Sequence, residues 1–76
     1  MFETFPPRTQ LLARALHHPA RATLSTRIYA AAKPVAIADL ARVMGLALGA
    51  VHYHVRVLVA CGLAELDREG LACSRT

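Results

Sequence analysis

Charge is scarce in this chain. Charged side chains make up 18% of its 76 residues. Apolar residues are spread throughout, so an intrinsically disordered chain is excluded. Long apolar runs are missing too. The longest, Val57 to Ala64, already contains Gly62 and is far too short to span a bilayer. The first residues lack the basic start and apolar run of a secretory signal. Only two cysteines occur, Cys61 and Cys73, with no CxxC pair. A reduced, cytoplasmic setting is therefore expected. There is no glycine-rich phosphate loop and no carboxylate pair at helical spacing. No His or acid is placed by sequence to activate a cysteine. A non-enzyme without a cofactor is the expectation.

What the chain does have is core material. Hydrophobic residues reach 55%, and much of this is Ala, which suits closely packed helices. One domain over 1–76 is expected, with an arm at 1–6. A domain of this size buries only roughly 60–65% of the surface its unfolded chain exposes. It needs an efficient core, partner contacts, or both. The net charge of +4 and pI near 9.8 favour an anionic partner, nucleic acid first. The basic excess sits mainly in the first half, as Arg8, Arg14, Arg21, Arg27 and Lys33 against Glu3 alone.

Four helices and a hairpin follow from the pattern. Pro7 to His17 reads as a short helix on Leu12 and Leu16, ended by His18-Pro19. A second helix starts at Pro19 and runs to about Ala32, with Ala20, Leu24, Ile28 and Ala31 as its apolar stripe. Pro34 forces a break. Ile37, Leu40, Ala41 and Met44 mark a third helix, closed by Gly45. The fourth runs from about Leu48 to Cys61, with Val51, Val55, Leu58 and Val59 inward, and Gly62 stops it. Leu63 to Asp67 alternates like a half-buried strand. Arg68-Glu69-Gly70 turns, and Leu71 to Ser74 returns. The fold class is mainly α with a small β-hairpin: a winged helix-turn-helix with a two-stranded wing at 63–74.

Two short helices joined by Gly45-Leu46-Ala47 have helix-turn-helix spacing. The first braces, Gly45 permits the sharp turn, and the second, 48–61, projects into a major groove about 12 Å wide. Its outer face carries Leu48, Gly49, His52, Tyr53 and Arg56, with Leu48, His52 and Arg56 aligned four apart. Arg21, Arg42 and Arg68 complete the candidate contacts to double-stranded DNA. The hairpin lies on the flanking backbone.

Five segments in order carry a resemblance. They are His18-Pro19-Ala20-Arg21, Ile37 to Ala41, Met44-Gly45-Leu46, Val51 to Leu58, and Cys61-Gly62-Leu63. Together they resemble the ArsR-like winged helix regulators, within a broader ArsR/MarR-like group, over roughly residues 11–72. The resemblance implies a bacterial or archaeal DNA-binding repressor or activator, usually a dimer, here through the N-terminal helix. The chain departs from that pattern. Ala47 and Ala36 stand where Ser or Thr usually cap the helices, at a cost on the order of 1 kcal/mol each. Leu48, Gly49 and Ala50 replace polar residues, and the wing carries Glu65, Asp67 and Glu69.

Several residues have two readings. Arg21 either contacts DNA or is a solvated or salt-bridged residue that pins its helix. His54 either packs against a neighbour or meets a phosphate. Tyr53 either contacts DNA or packs over the turn. Cys61 reads as a buried small hydrophobe and Cys73 as exposed on the wing. His52 and His54 point about 200° apart on a helix, so they do not share a metal, and none is expected. The rival function is a protein-interaction or dimerisation module whose DNA binding is lost or weak. Apolar Leu48-Gly49-Ala50 and the acidic wing support it.

Overall fold

The computed structural model describes residues 16–75. Three helices and three strands lie among them, in the order α1 (Pro19–Ala30), β1 (Val35–Ala36), α2 (Ile37–Met44), α3 (Leu48–Ala60), β2 (Ala64–Leu66) and β3 (Leu71–Ser74). Four helices and a two-stranded wing were expected; three helices lie among the described residues, and the wing is corrected to part of a three-stranded sheet. The anticipated helix over 7–17 and the arm at 1–6 lie outside the described residues, apart from the helix's last two positions. The wing gains a third strand. No single helix among the described residues is long and apolar enough to cross a membrane.

Each helix start has its own local chemistry. Pro19 opens α1, where its missing N–H has no intrahelical partner to lose. His18 is the N-cap, and its Nδ1 accepts a hydrogen bond from the Ala20 N–H at 3.2 Å. The helix closes at Ala30, two residues short of the expected Ala32. Ala31 is already extended, and the chain must leave the helix in time for β1 to reach the sheet. There Val35 pairs with Ala72 and Ala36 with Leu71, antiparallel. Pro34 fits just before an edge strand, where its absent N–H breaks no ladder.

Both helices of the central pair end in the same way. Gly45 is left-handed at φ 66°, the Leu46 N–H donates to Ala41 O at 3.0 Å, and the Gly45 N–H donates to Arg42 O at 3.3 Å. After α3, Gly62 repeats the device, with Leu63 N–H donating to Leu58 O and Gly62 N–H to Val59 O, each at 3.0 Å. Glycine suits these positions because an L side chain is strained at such a φ. The first of these turns bends the chain by 117° between α2 and α3, within the roughly 90–120° of a helix-turn-helix.

The sheet order is β1-β3-β2, with β3 central. In the hairpin Ala64, Glu65 and Leu66 pair with Ser74, Cys73 and Ala72. The connecting turn is held by one carboxylate. Asp67 Oδ1 accepts from the Glu69 N–H at 2.8 Å and the Leu71 N–H at 3.0 Å. The core joins all three helices to the sheet: Leu24, Ile28, Ile37, Leu40, Ala41, Val51, Val55, Leu58, Ala64 and Ala72. Val59, expected inward, is instead 37% exposed, because it lies about a quarter turn from the Val51–Val55–Leu58 seam. Ala20 and Ala31 reach only partial burial, as do both cysteines.

Leu58→Ala should therefore cost about 2–5 kcal/mol, as for a fully buried leucine. Val59→Ala should cost well under about 1 kcal/mol. Urea titrations monitored by circular dichroism distinguish the two, and equal losses would place Val59 in the core.

Candidate nucleic-acid interface

The outer face of α3 is set by what the core takes. Val51, Val55 and Leu58 point inward, so Gly49, Tyr53, Arg56 and Ala60 stand opposite them, all exposed. Tyr53 is 61% exposed. Leu48, His52 and Arg56 are all exposed along one side of α3, in a row that slants by about 40° per step. Leu48 and His52 turn toward the wing and line a recess with Ala36, Ile37, Ala38, Glu69 and Gly70. Arg56 remains on the outward stripe. Its helix, residues 48–60, carries no acidic residue.

The wing flank is less hostile to an anion than its three acids suggest. Asp67 is occupied by the turn amides, and Glu65 faces Arg75 at 3.9 Å. Glu69 is the acid that borders the Leu48–His52 recess. Arg68 is exposed in the turn beside it. Arg42 pairs with Asp39 at 3.1 Å, one helical turn away on α2. Both side chains are well exposed, so this pair is worth little and restrains Arg42 only weakly.

The opposite flank meets α1. The His54 ring lies 4.6 Å from the His18 ring, tilted by 46°. Tyr53 meets the His54 ring edge-on at 5.5 Å. Arg21 is half-buried and makes no ion pair among the described residues. Its Nε and the Nδ1 of His54 are both buried without a hydrogen-bond partner. Sequence reasoning left His18 out of the site altogether. The signal was there, since a residue ahead of a helix-opening proline is the N-cap and its ring projects beside the helix start.

Burial first, then His18, then Arg21, lowers the His54 pKa below its ordinary 6.5. The unfolded chain therefore binds a proton at His54 more readily than the folded one. Stability from the neutral ring is complete above about pH 6.5 and declines as pH falls through that value. Melting temperature should be level between pH 7 and 8 and drop on acidification below 6.5, with a shallower drop in His54→Gln. An unchanged slope in that variant would remove His54 from the acid response.

The described residues hold no group of three His, Cys, Asp or Glu side chains placed to share a metal ion. No curated protein matches the sequence. Among solved structures, the chain is similar to the homodimeric winged helix-turn-helix DNA-binding domain (fragment 1-100) of a possible ArsR-family transcriptional regulator from Mycobacterium bovis. The TM-score is 0.78 and the identity 19%, over 100% of this chain and 77% of that one. At that identity the likeness carries the fold: a mainly helical winged helix-turn-helix with a small antiparallel sheet. The family model that matches is that of the IclR helix-turn-helix domain, over residues 28–68. This agrees with the ArsR-like resemblance on the helix-turn-helix regulator and not on the branch. The matched span takes in β1, both helices of the central pair, β2 and the start of the hairpin turn, more than half of the sequence, and the chain belongs to the IclR helix-turn-helix domain family.

Proposed function

We propose that this chain is the DNA-binding domain of a transcription regulator, a single domain over 1–76 that inserts α3 into the major groove and sets its wing beside the flanking backbone. One observation carries the reading. The outward stripe of α3 presents Tyr53 and Arg56 with no acid anywhere on the helix. Arg56 supplies the cation, and Tyr53 supplies a hydroxyl and a ring. Leu48, Gly49 and Ala50 offer no side-chain hydrogen bonds to base edges, so binding is weak and mostly electrostatic. Arg42, Arg68 and His52 contribute from the rim, and no cofactor takes part. DNA as partner places the protein in the cytoplasm of its cell.

A second reading has its own support. Leu48 is 56% exposed and Val43 54%, which gives the two ends of the helix-turn-helix bend an apolar surface. A protein-interaction module would use that surface. DNA titrations separate the two. Arg56→Ala should lower affinity for random duplex and reduce the salt slope by about one unit. Arg42→Ala, with its charge shared with Asp39, should do less. Loss confined to one selected sequence would make Arg56 a base reader. Absence of binding by the parent at low salt would establish the interaction module instead.

Assembly as a homodimer through residues 7–17 belongs to the same proposal. Leu11, Leu12, Ala15 and Leu16 exceed what one small core covers, and the similar Mycobacterium bovis domain is described as homodimeric. Sedimentation at micromolar concentration should show a dimer that Leu12→Asp dissociates. A monomer across that range, or an unaffected variant, would refute it.

A further inference from the structure

Arg21 presents an unanswered charge. It is half-buried and has no carboxylate partner among the described residues. Neither α1 nor α3, the two helices that meet around it, contains an acidic residue. The side chains gathered there are those of His18, Arg21 and His54, with the two imidazole rings 4.6 Å apart. Buried or half-buried cations are normally paired, and leaving the polar Nε of Arg21 and Nδ1 of His54 unpartnered is costly. A cationic cluster with no carboxylate against it among the described residues is suited to an anion from outside the chain.

Its position says which anion. His54 is on α3, on the flank turned away from the wing, one residue from outward-facing Tyr53. A duplex whose major groove receives α3 carries one of its two phosphate backbones along that flank. We propose that His18, Arg21 and His54 form a phosphodiester site for the DNA backbone on the α1 side of the recognition helix, and that occupation of this site draws a proton onto His54. This rests on the DNA-binding reading above and names the partner group and the proton linkage at that interface.

The chemistry of the cluster supports both halves. His18 Nδ1 accepts from the Ala20 N–H, which leaves its other ring nitrogen as the N–H donor. Arg21 supplies a permanent charge of the kind that suits phosphate. The groups acting on His54 are His18 and Arg21, and both disfavour its charged form. The other titratable groups nearby in sequence are His17 on the α1 side and Tyr53 on α3. In the packed sheet, β2 brings Glu65, already paired with Arg75, and β3 brings Cys73 opposite it. Among the described residues no carboxylate compensates the cluster. A phosphate against it reverses the balance, so the bound state holds more protons than the free one, and affinity rises as pH falls.

Fluorescence anisotropy of a labelled random duplex at constant ionic strength, from pH 7.5 to 6.0, tests this. Affinity of the parent should rise as pH falls, by up to about tenfold per pH unit for the one proton that His54 takes up. Arg21→Ala should weaken binding at every pH and cut the salt slope by about one unit. His54→Gln should flatten the pH dependence. His18→Asn, which keeps a capping oxygen for Ala20 and loses the ring N–H, should weaken binding at every pH while leaving the helix intact by circular dichroism. His17→Gln should keep the parent's pH response. A parent affinity independent of pH, or a response that survives in His54→Gln, would overturn the site while leaving an Arg56-dependent DNA-binding domain in place. A parent that binds no duplex at any pH would overturn both.

Discussion

Val51, Val55 and Leu58 leave water together, and the other elements are arranged to let them. All three are fully buried, and each comes from α3, the helix with the most to present outward. Leu24 and Ile28 of α1, Ile37, Leu40 and Ala41 of α2, and Ala64 and Ala72 of the sheet close around them. A helix whose inward seam is fixed this firmly has its outward stripe fixed as well, since rotation about the axis would expose the seam. Burial of three side chains thus determines that Gly49, Tyr53 and Arg56 face away from the protein, Leu48 and His52 the wing, and His54 the start of α1.

The same constraint explains how two uncapped helices remain in place. Ala36 and Ala47 make no side-chain capping bonds, each a loss of order 1 kcal/mol against Ser or Thr. Helices this short draw most of their stability from tertiary packing of an apolar face. The left-handed glycine closures at Gly45 and Gly62 secure the opposite ends. The helix-turn-helix is therefore held by its core and its C-terminal turns, and its N-terminal residues are free to vary.

Much of this was legible in the sequence where a period or a special residue marks it. Ile37–Met44, Gly45, the near ends of α3 and the two hairpin strands were read within a residue or two, because 3.6-fold and two-fold apolar spacing and glycine punctuation are strong signals. β1 escaped because two residues have no period, and its place is fixed by pairing with a strand some 35 positions later. Val59 was misplaced because Val57 to Ala60 is apolar all round, so composition cannot choose the buried face. Most instructive is the candidate interface. Residues four apart rotate by about 40° per step around a helix, so the row of Leu48, His52 and Arg56 slants from the wing side toward the outer face. The pairing of His18 with His54 joins two elements distant in sequence and leaves no local trace.

The two flanks of α3 thus differ in electrostatic character, and the difference follows from where the chain uses its few acids. On the wing, Asp67 is committed to turn amides and Glu65 to Arg75, while Glu69 stands beside the Leu48–His52 recess. On the α1 side, among the described residues, there is none. In the proposed complex a duplex meets at least one carboxylate along one edge of α3 and, among those residues, cations and imidazoles along the other. Since backbone phosphates dominate affinity and base contacts dominate discrimination, a helix that begins Leu48-Gly49-Ala50 and is flanked by Arg21 suits, under that proposal, holding a backbone more than reading a sequence.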